Sequence, residues 1–184
     1  ERLVIGQIEE TQEAKAGADP LQHYLRVVTE KTGSLIATSA RFGAMFGGAP
    51  AEITQVLTNF GEKIGIAFQL QDDYLDAFGD AAVFGKEPGG DIKQNKKTFL
   101  LIHALEVANE DQKKQLSALM QTDASYKVEK VLSIFKSCGV DAWAAAAKSN
   151  YMKEAFEHLE AIAVVSERKK PLIDLAHYLM NRNQ

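Results

Sequence analysis

Residues 60–79 read FGEKIGIAFQLQDDYLDAFG, and the fold turns on how that stretch is taken. Ile64, Ile66, Phe68, Leu70, Tyr74, Leu75 and Phe78 are apolar around much of a helical circumference, the pattern of an interior helix rather than a surface one. Against that background Gln69, Asp72, Asp73 and Asp76 fall at i, i+3, i+4 and i+7, so they form one polar stripe. Asp72 and Asp76 are one turn apart, where two negative charges at about 6 Å repel by roughly 3 kcal/mol at an effective dielectric near 20. A divalent cation reverses the sign of that term. An oxygen-only donor set with no His or Cys in the window suits a hard ion, and Mg2+ typically takes one or two carboxylates, with water and phosphate oxygens completing its shell. The stripe reads as half a site, with phosphate expected to supply the rest. The competing reading is a solvated acidic face, which a helix apolar around most of its girth is poorly placed to present.

Basic residues flank this helix in sequence. Residues 80–97, DAAVFGKEPGGDIKQNKK, set Lys86 between Gly85 and the Pro88, Gly89, Gly90 run, and add Lys93, Lys96 and Lys97. Glycines permit unusual backbone angles and close approach to a ligand, so the segment reads as a mobile flap able to bring ammonium groups to an anion. A lysine-bearing glycine loop can equally be a solvated connection. Upstream, Lys31 and Thr32 precede GSLIATSARFGAMFGG, rich in small residues that allow close helix packing. A lysine on a buried side needs an anion, whereas one at a helix edge extends its stem and stays hydrated.

Outward from there the chain is punctuated as helices. Pro20, Pro50, Pro88 and Pro171 are each expected near a helix boundary, where the fixed φ and missing N–H are tolerated. The spacing predicts helices over about 2–15, 20–46 and 51–78, an irregular segment over about 79–94, and shorter helices to the end, with no alternation long enough for a sheet. Val128, Val131, Leu132 and Phe135, then Trp143, Ala147, Tyr151, Ala155 and Leu159, and finally Leu172, Leu175, Ala176 and Leu179 are expected core stripes. Glu167, Arg168, Lys169 and Lys170 read as a solvated helix start, and Cys138 before Gly139 as a buried residue near a helix end. His23, His103, His158 and His177 are scattered and receive no role.

The 184 residues suffice for one domain with a sizeable core. Twenty-one basic against 25 acidic residues, net charge −4, argue against a general nucleic-acid binder. A single cysteine excludes an internal disulfide and a thiolate zinc site, and points to a reducing compartment, by default the cytoplasm. No apolar run approaches the roughly 20 residues that span a bilayer, so no stable membrane insertion is expected. The chain opens at Glu1 in what reads as a helix, as a part of a longer polypeptide would.

These residues, in this order, resemble the trans-isoprenyl diphosphate synthases, the farnesyl, geranylgeranyl and longer-chain polyprenyl diphosphate synthases. FQLQDDYLD at 68–76 resembles the family's second aspartate-rich motif, followed by Gly79 and Asp80, Gly85 and Lys86, Gly90 and Asp91, and Asn95 and Lys96. Lys31 and Thr32 resemble its Lys-Thr motif, and Gly6 and Gln7 stand where a Gly-Glu or Gly-Gln pair is common. The ordered match covers about the first hundred residues.

The resemblance implies an all-α isoprenoid-synthase-type bundle, of which residues 1–184 would be the C-terminal part of a single domain with its N-terminal helices missing. It implies that an allylic diphosphate ionises, that isopentenyl diphosphate attacks the carbocation, and that a proton is lost. Asp72, Asp73 and Asp76 would hold Mg2+; Lys31, Thr32, Gln69, Lys86 and Lys96 would bind the diphosphate, the three lysines acting catalytically. The family's first aspartate-rich motif and Gly-Lys-Arg segment are missing here, so half a metal cluster, and no turnover by this chain alone, is expected. Incompleteness should also expose apolar helix faces, from which a homodimer or a self-associating chain is expected. A non-catalytic partner subunit or a diphosphate-binding helical module of the same fold is the alternative. Product length stays open.

Overall fold

The computed structural model describes residues 1–11, 17–80 and 88–181, and every described element is helical. In chain order these are α1 (Arg2–Glu10), α2 (Pro20–Val28), a π-helical turn (Thr29–Gly33), α3 (Ser34–Phe46), α4 (Ala51–Phe78), α5 (Gly90–Lys93), α6 (Phe99–Val107), α7 (Glu110–Leu119), α8 (Lys127–Ser137), α9 (Val140–Glu160) and α10 (Ser166–Met180). The all-α expectation holds. Helix α4 has the expected bounds and, at 1.5 Å per residue, is about 42 Å long.

Local chemistry explains the ends. Asp19 caps α2 by accepting from the Leu21 and Gln22 amides, with Pro20 at the first helical position, where its missing N–H costs nothing. Asn109 and Gln112 form a reciprocal capping box at α7. Gly139, at φ 68°, closes α8 immediately after Cys138, which is half-buried at the helix cap.

Several details differ from the sequence reading. Helix α1 ends at Glu10, where the Thr11 hydroxyl donates to the Ile8 carbonyl at 2.7 Å; residues 12–16 lie outside the described set. The run 20–46 is helical throughout but interrupted by the π turn. Within the segment expected to be irregular, residues 90–93 form a helical turn. Pro171 stands inside α10, not at its edge; the carbonyl it leaves without an amide donor belongs to exposed Glu167, where water can replace the bond. Lys169 is buried rather than solvated, its ammonium 3.2 Å from both the carbonyl and a carboxylate oxygen of Glu160. Leu175, expected in a core stripe, is exposed.

The chain forms two compact units. One comprises Glu1–Gln69 and Lys148–Arg182; the other is built on Leu70–Ala147. The first has an apolar centre of Phe60 and Ile64 from α4, Ala155 and Leu159 from α9, Ile162, and Ala176 from α10. It also leaves large apolar groups in solvent: Val4 and Ile8 on α1, and Leu35, Phe42, Met45 and Phe46 on α3, the last 91% exposed. In the second unit Phe99 and Leu100 of α6, Leu116 of α7, Val131 and Phe135 of α8 and Val140 of α9 are nearly inaccessible. Trp143 is half-buried, tilted on Phe99 and stacked on His103 at 3.7 Å between ring centroids. No helix is both long enough and apolar enough to cross a membrane among the described residues.

Candidate functional site

In the first unit the Lys-Thr pair sits on the π turn. Thr29 and Ser34 hydroxyls donate back to the Leu25 and Glu30 carbonyls, at 2.8 and 2.6 Å, which ties polar side chains into the widened turn. Glycines let two helices press on it. A Cβ at Gly6 of α1 would stand 2.6 Å from the Lys31 amide nitrogen, and one at Gly65 of α4 would stand 2.5 Å from the Gly33 Cα. Both are backbone contacts that no rotamer can relieve. On this scaffold the Thr32 hydroxyl donates to Gln69 Oε1 at 3.0 Å, so the structure joins two residues singled out from sequence. Lys31 is half-buried and its ammonium lies 2.8 and 2.7 Å from the two carboxylate oxygens of Glu10. Glu10 carried no sequence signal, since it is an ordinary acid 21 positions away.

In the second unit the aspartates occupy the last turns of α4, which also carries Gln69. Asp73 is 5% exposed, whereas Asp72 and Asp76 are half-buried, so the stripe is not uniform. Asp76 is locked to the turn that follows Pro88: the Asp91 amide donates to Asp76 Oδ2 at 2.9 Å and the Gly89 amide to the Asp76 carbonyl at 2.5 Å. Gly90 allows this, since a Cβ there would stand 2.9 Å from Asp76 Oδ1. The Lys96 ammonium lies 2.5 Å from Asp91 Oδ1. Burial, and then the neighbouring Asp91 charge, push the Asp76 carboxyl above its ordinary pKa, against the opposing pull of the Asp91 amide and of Lys96.

A half-buried carboxylate with its charged form disfavoured is one that a cation would relieve, and its oxygens are donors of the kind hard ions take. Among the described residues, however, no three His, Cys, Asp or Glu side chains converge closely enough to hold a metal by themselves. The acids would therefore fit Mg2+ only as partial ligands, with other oxygen donors needed to complete a shell. Lys86 lies outside the described residues, as do the others of 81–87, whereas 88–97 of the expected flap are described.

The described elements are helices, with carboxylates on one interior helix and a Lys-Thr pair on a packed turn, and superposition on a solved geranylgeranyl pyrophosphate synthase, at a TM-score of 0.86, shows the all-α isoprenoid-synthase fold. The polyprenyl synthetase family model matches residues 1–138. The nonaprenyl diphosphate synthase of Mycobacterium tuberculosis is 33% identical over 184 residues, covering 99% of this chain and 54% of the relative. A geranylgeranyl pyrophosphate synthase from Corynebacterium glutamicum, crystallised with calcium and isoprenyl diphosphate, superposes with a TM-score of 0.84 at 31% identity, over 98% of this chain and 56% of that one. Another from the same organism, complexed with isoprenyl diphosphate and magnesium, gives 0.86 at 25% identity, over 98% and 52%. The chain belongs to the polyprenyl synthetase family. It spans about half the length of the curated relatives it matches.

Proposed function

We propose that the protein carrying this chain is a magnesium-dependent trans-isoprenyl diphosphate synthase, and that these 184 residues supply the end of its single domain that receives the departing diphosphate. The allylic C–O bond breaks with its electron pair leaving on the diphosphate. The double bond of isopentenyl diphosphate then provides the pair for the new C–C bond, and loss of a proton restores unsaturation. Charge accumulates on the leaving group, so stabilising it there is the main task of the site.

Asp72, Asp73 and Asp76 are assigned to Mg2+, which when bound would neutralise charge developing on the diphosphate oxygens. Lys31, Lys86 and Lys96 are assigned to those oxygens directly. Glu10 and Asp91 hold two of these ammonium groups, those of Lys31 and Lys96, in the protein as described, and would exchange them for phosphate when substrate enters. Thr32 and Gln69 act as a bonded pair that orients the diphosphate or its water. The observation that carries this reading is Asp76: a family-motif carboxylate tethered to the Asp91 amide, with its ionised form made costly by burial. The exposed apolar faces of α1 and α3 support self-association of this chain when it is produced alone, for which light scattering is the check.

The test is calorimetric titration of a non-hydrolysable allylic diphosphate analogue into the chain, with and without Mg2+, beside a turnover assay with isopentenyl diphosphate. Magnesium-dependent binding without turnover is the expected result for the chain alone. Binding that ignores Mg2+ would remove the role given to the aspartates.

A further inference from the structure

We infer that Lys127, which matches no motif, is a positioning residue for Lys96 and Asp76. The inference rests on the diphosphate-receiving role proposed above. Lys127 opens α8 and is only 2% exposed, and its ammonium donates to Asn95 Oδ1 at 2.6 Å. Burying an ammonium costs far more than one hydrogen bond to a neutral amide returns, and an apolar side chain of similar length would fill the same space at less cost to stability. What the ammonium provides instead is a fixed point for the turn opposite it.

Asn95 is the place where that turn reverses. At φ 58° it is the sole non-glycine in the left-handed region among the described residues. Its own amide donates to the Ile92 carbonyl at 3.2 Å, and the next amide, of Lys96, returns to the Asp91 carbonyl at 3.0 Å. That reversal brings the Lys96 ammonium onto Asp91, whose amide holds Asp76. The residue after Lys127 grips the other end of the same turn. Val128 lies where a Cβ on Gly89 would stand, 2.4 Å from its Cγ1, and Gly89, at φ 86°, donates to the Asp76 carbonyl. Two consecutive residues of α8 thus clamp both ends of residues 89–96: Val128 by shape and Lys127 by charge-assisted bonding. With the clamp intact, the backbone of residues 89–96 keeps its place beside Asp76 whether or not a diphosphate is bound, and only the Lys96 side chain changes partner. Without Lys127, Asn95 loses its partner and the strained turn is free to relax.

The experiment replaces Lys127 by Met, and separately by Arg, in the full-length protein. Hydrogen exchange of residues 89–97, read by mass spectrometry, should quicken roughly ten-fold in Lys127→Met while α6 stays protected. KM for the allylic diphosphate should rise roughly ten-fold with that for isopentenyl diphosphate within about two-fold, the melting temperature should not fall, and Arg should restore part of the loss. Unchanged exchange in the turn overturns the clamp. Quickened exchange together with equal rises in both KM values and a lower melting temperature would make Lys127 a general structural residue and overturn the positioning role. A parent enzyme that does not turn over would remove the proposed function itself, and the exchange measurement would still decide the clamp.

Discussion

The Lys-Thr turn and the turn that locks Asp76 are held by shape and charge in different proportions. Around Lys31 the backbone is fixed by shape: Gly6 and Gly65 bring α1 and α4 to within a missing methyl of it, and nearby hydroxyls satisfy local carbonyls. Around Asp76 the backbone is fixed by polar groups at partial burial: a raised carboxyl, an amide donor, an ion pair and a buried lysine. A seam of shape is above all intolerant of volume, even where ion pairs such as Arg2–Glu30 lie beside it. The polar clasp is gripped by shape as well, at Gly89 and Gly90, but its partly buried charges make it sensitive to any change of charge around it. The difference teaches where the fold relies on close backbone contact and where it holds a carboxylate whose charge is costly.

The strongest way to separate the two regions is by what each loses. Asp72→Ala in the full-length protein should lower turnover by about 10³-fold, of the order found when one transition-state charge stabiliser is removed, and leave the melting curve nearly unchanged. Lys93→Ala, at an exposed position outside any motif, should change the rate by less than about two-fold. Equal losses from both would discredit the site assignment. Gly65→Ala should do the opposite of Asp72→Ala: the new Cβ meets Gly33 backbone at 2.5 Å, so the helices must part, at a cost of about 3 kcal/mol seen in urea unfolding. Retained stability there would mean that the seam is looser than its geometry.

A smaller effect of opposite sign is expected at Asp76. Its carboxyl pKa is raised in the fold, so the stabilising contribution of the protonated form is complete below the ordinary value of 3.8 and is lost as pH rises through the raised one. Near neutrality the ionised group is a burden on the metal-free protein. Asp76→Asn removes the charge and can keep an acceptor for the Asp91 amide, so without divalent cations its melting temperature should rise while turnover falls. A lower melting temperature would show that the Asp91 bond outweighs desolvation.

Sequence made the helical frame legible because it is written in local periodicity. The bounds of α4 and the run 20–46 follow from apolar spacing and proline or glycine punctuation. The π turn does not, since the turn is packed against α1 and α4 at Gly6 and Gly65, residues far from it in sequence. The same holds for the groups around the candidate site. Thr32 and Gln69 could be chosen separately by their types, but their bond spans 37 positions; Glu10 and Lys127 have no local mark at all, because a lysine or glutamate acquires meaning only from what the fold sets against it. Asp91 stood in a recognisable Gly-Asp pair, yet its use of a backbone amide to hold Asp76 is a property of the turn rather than of the side chain.

The smallest expected effect sharpens the comparison most, because the two regions should respond to acid with opposite signs. Glu30, in the π turn, is pulled below its ordinary pKa first by its hydrogen bond from Arg2, at 2.6 Å, burial opposing. Its contribution is therefore complete above the ordinary value of 4.5 and is lost as pH falls through the depressed one. The pair is partly exposed, with Arg2 half in solvent, so the whole contribution should be below about 1 kcal/mol and shrink with salt. Lowering the pH below 4.5 should thus loosen the Lys-Thr turn while relieving the Asp76 clasp. Hydrogen exchange corrected for intrinsic rates should show protection falling over residues 29–33 and rising, or holding, over residues 89–96 across the same interval. Arg2→Met should abolish the first trend without touching the second. If protection in both turns falls together, the acid response is global unfolding, and the contrast between shape and charge does not survive as a description of these regions.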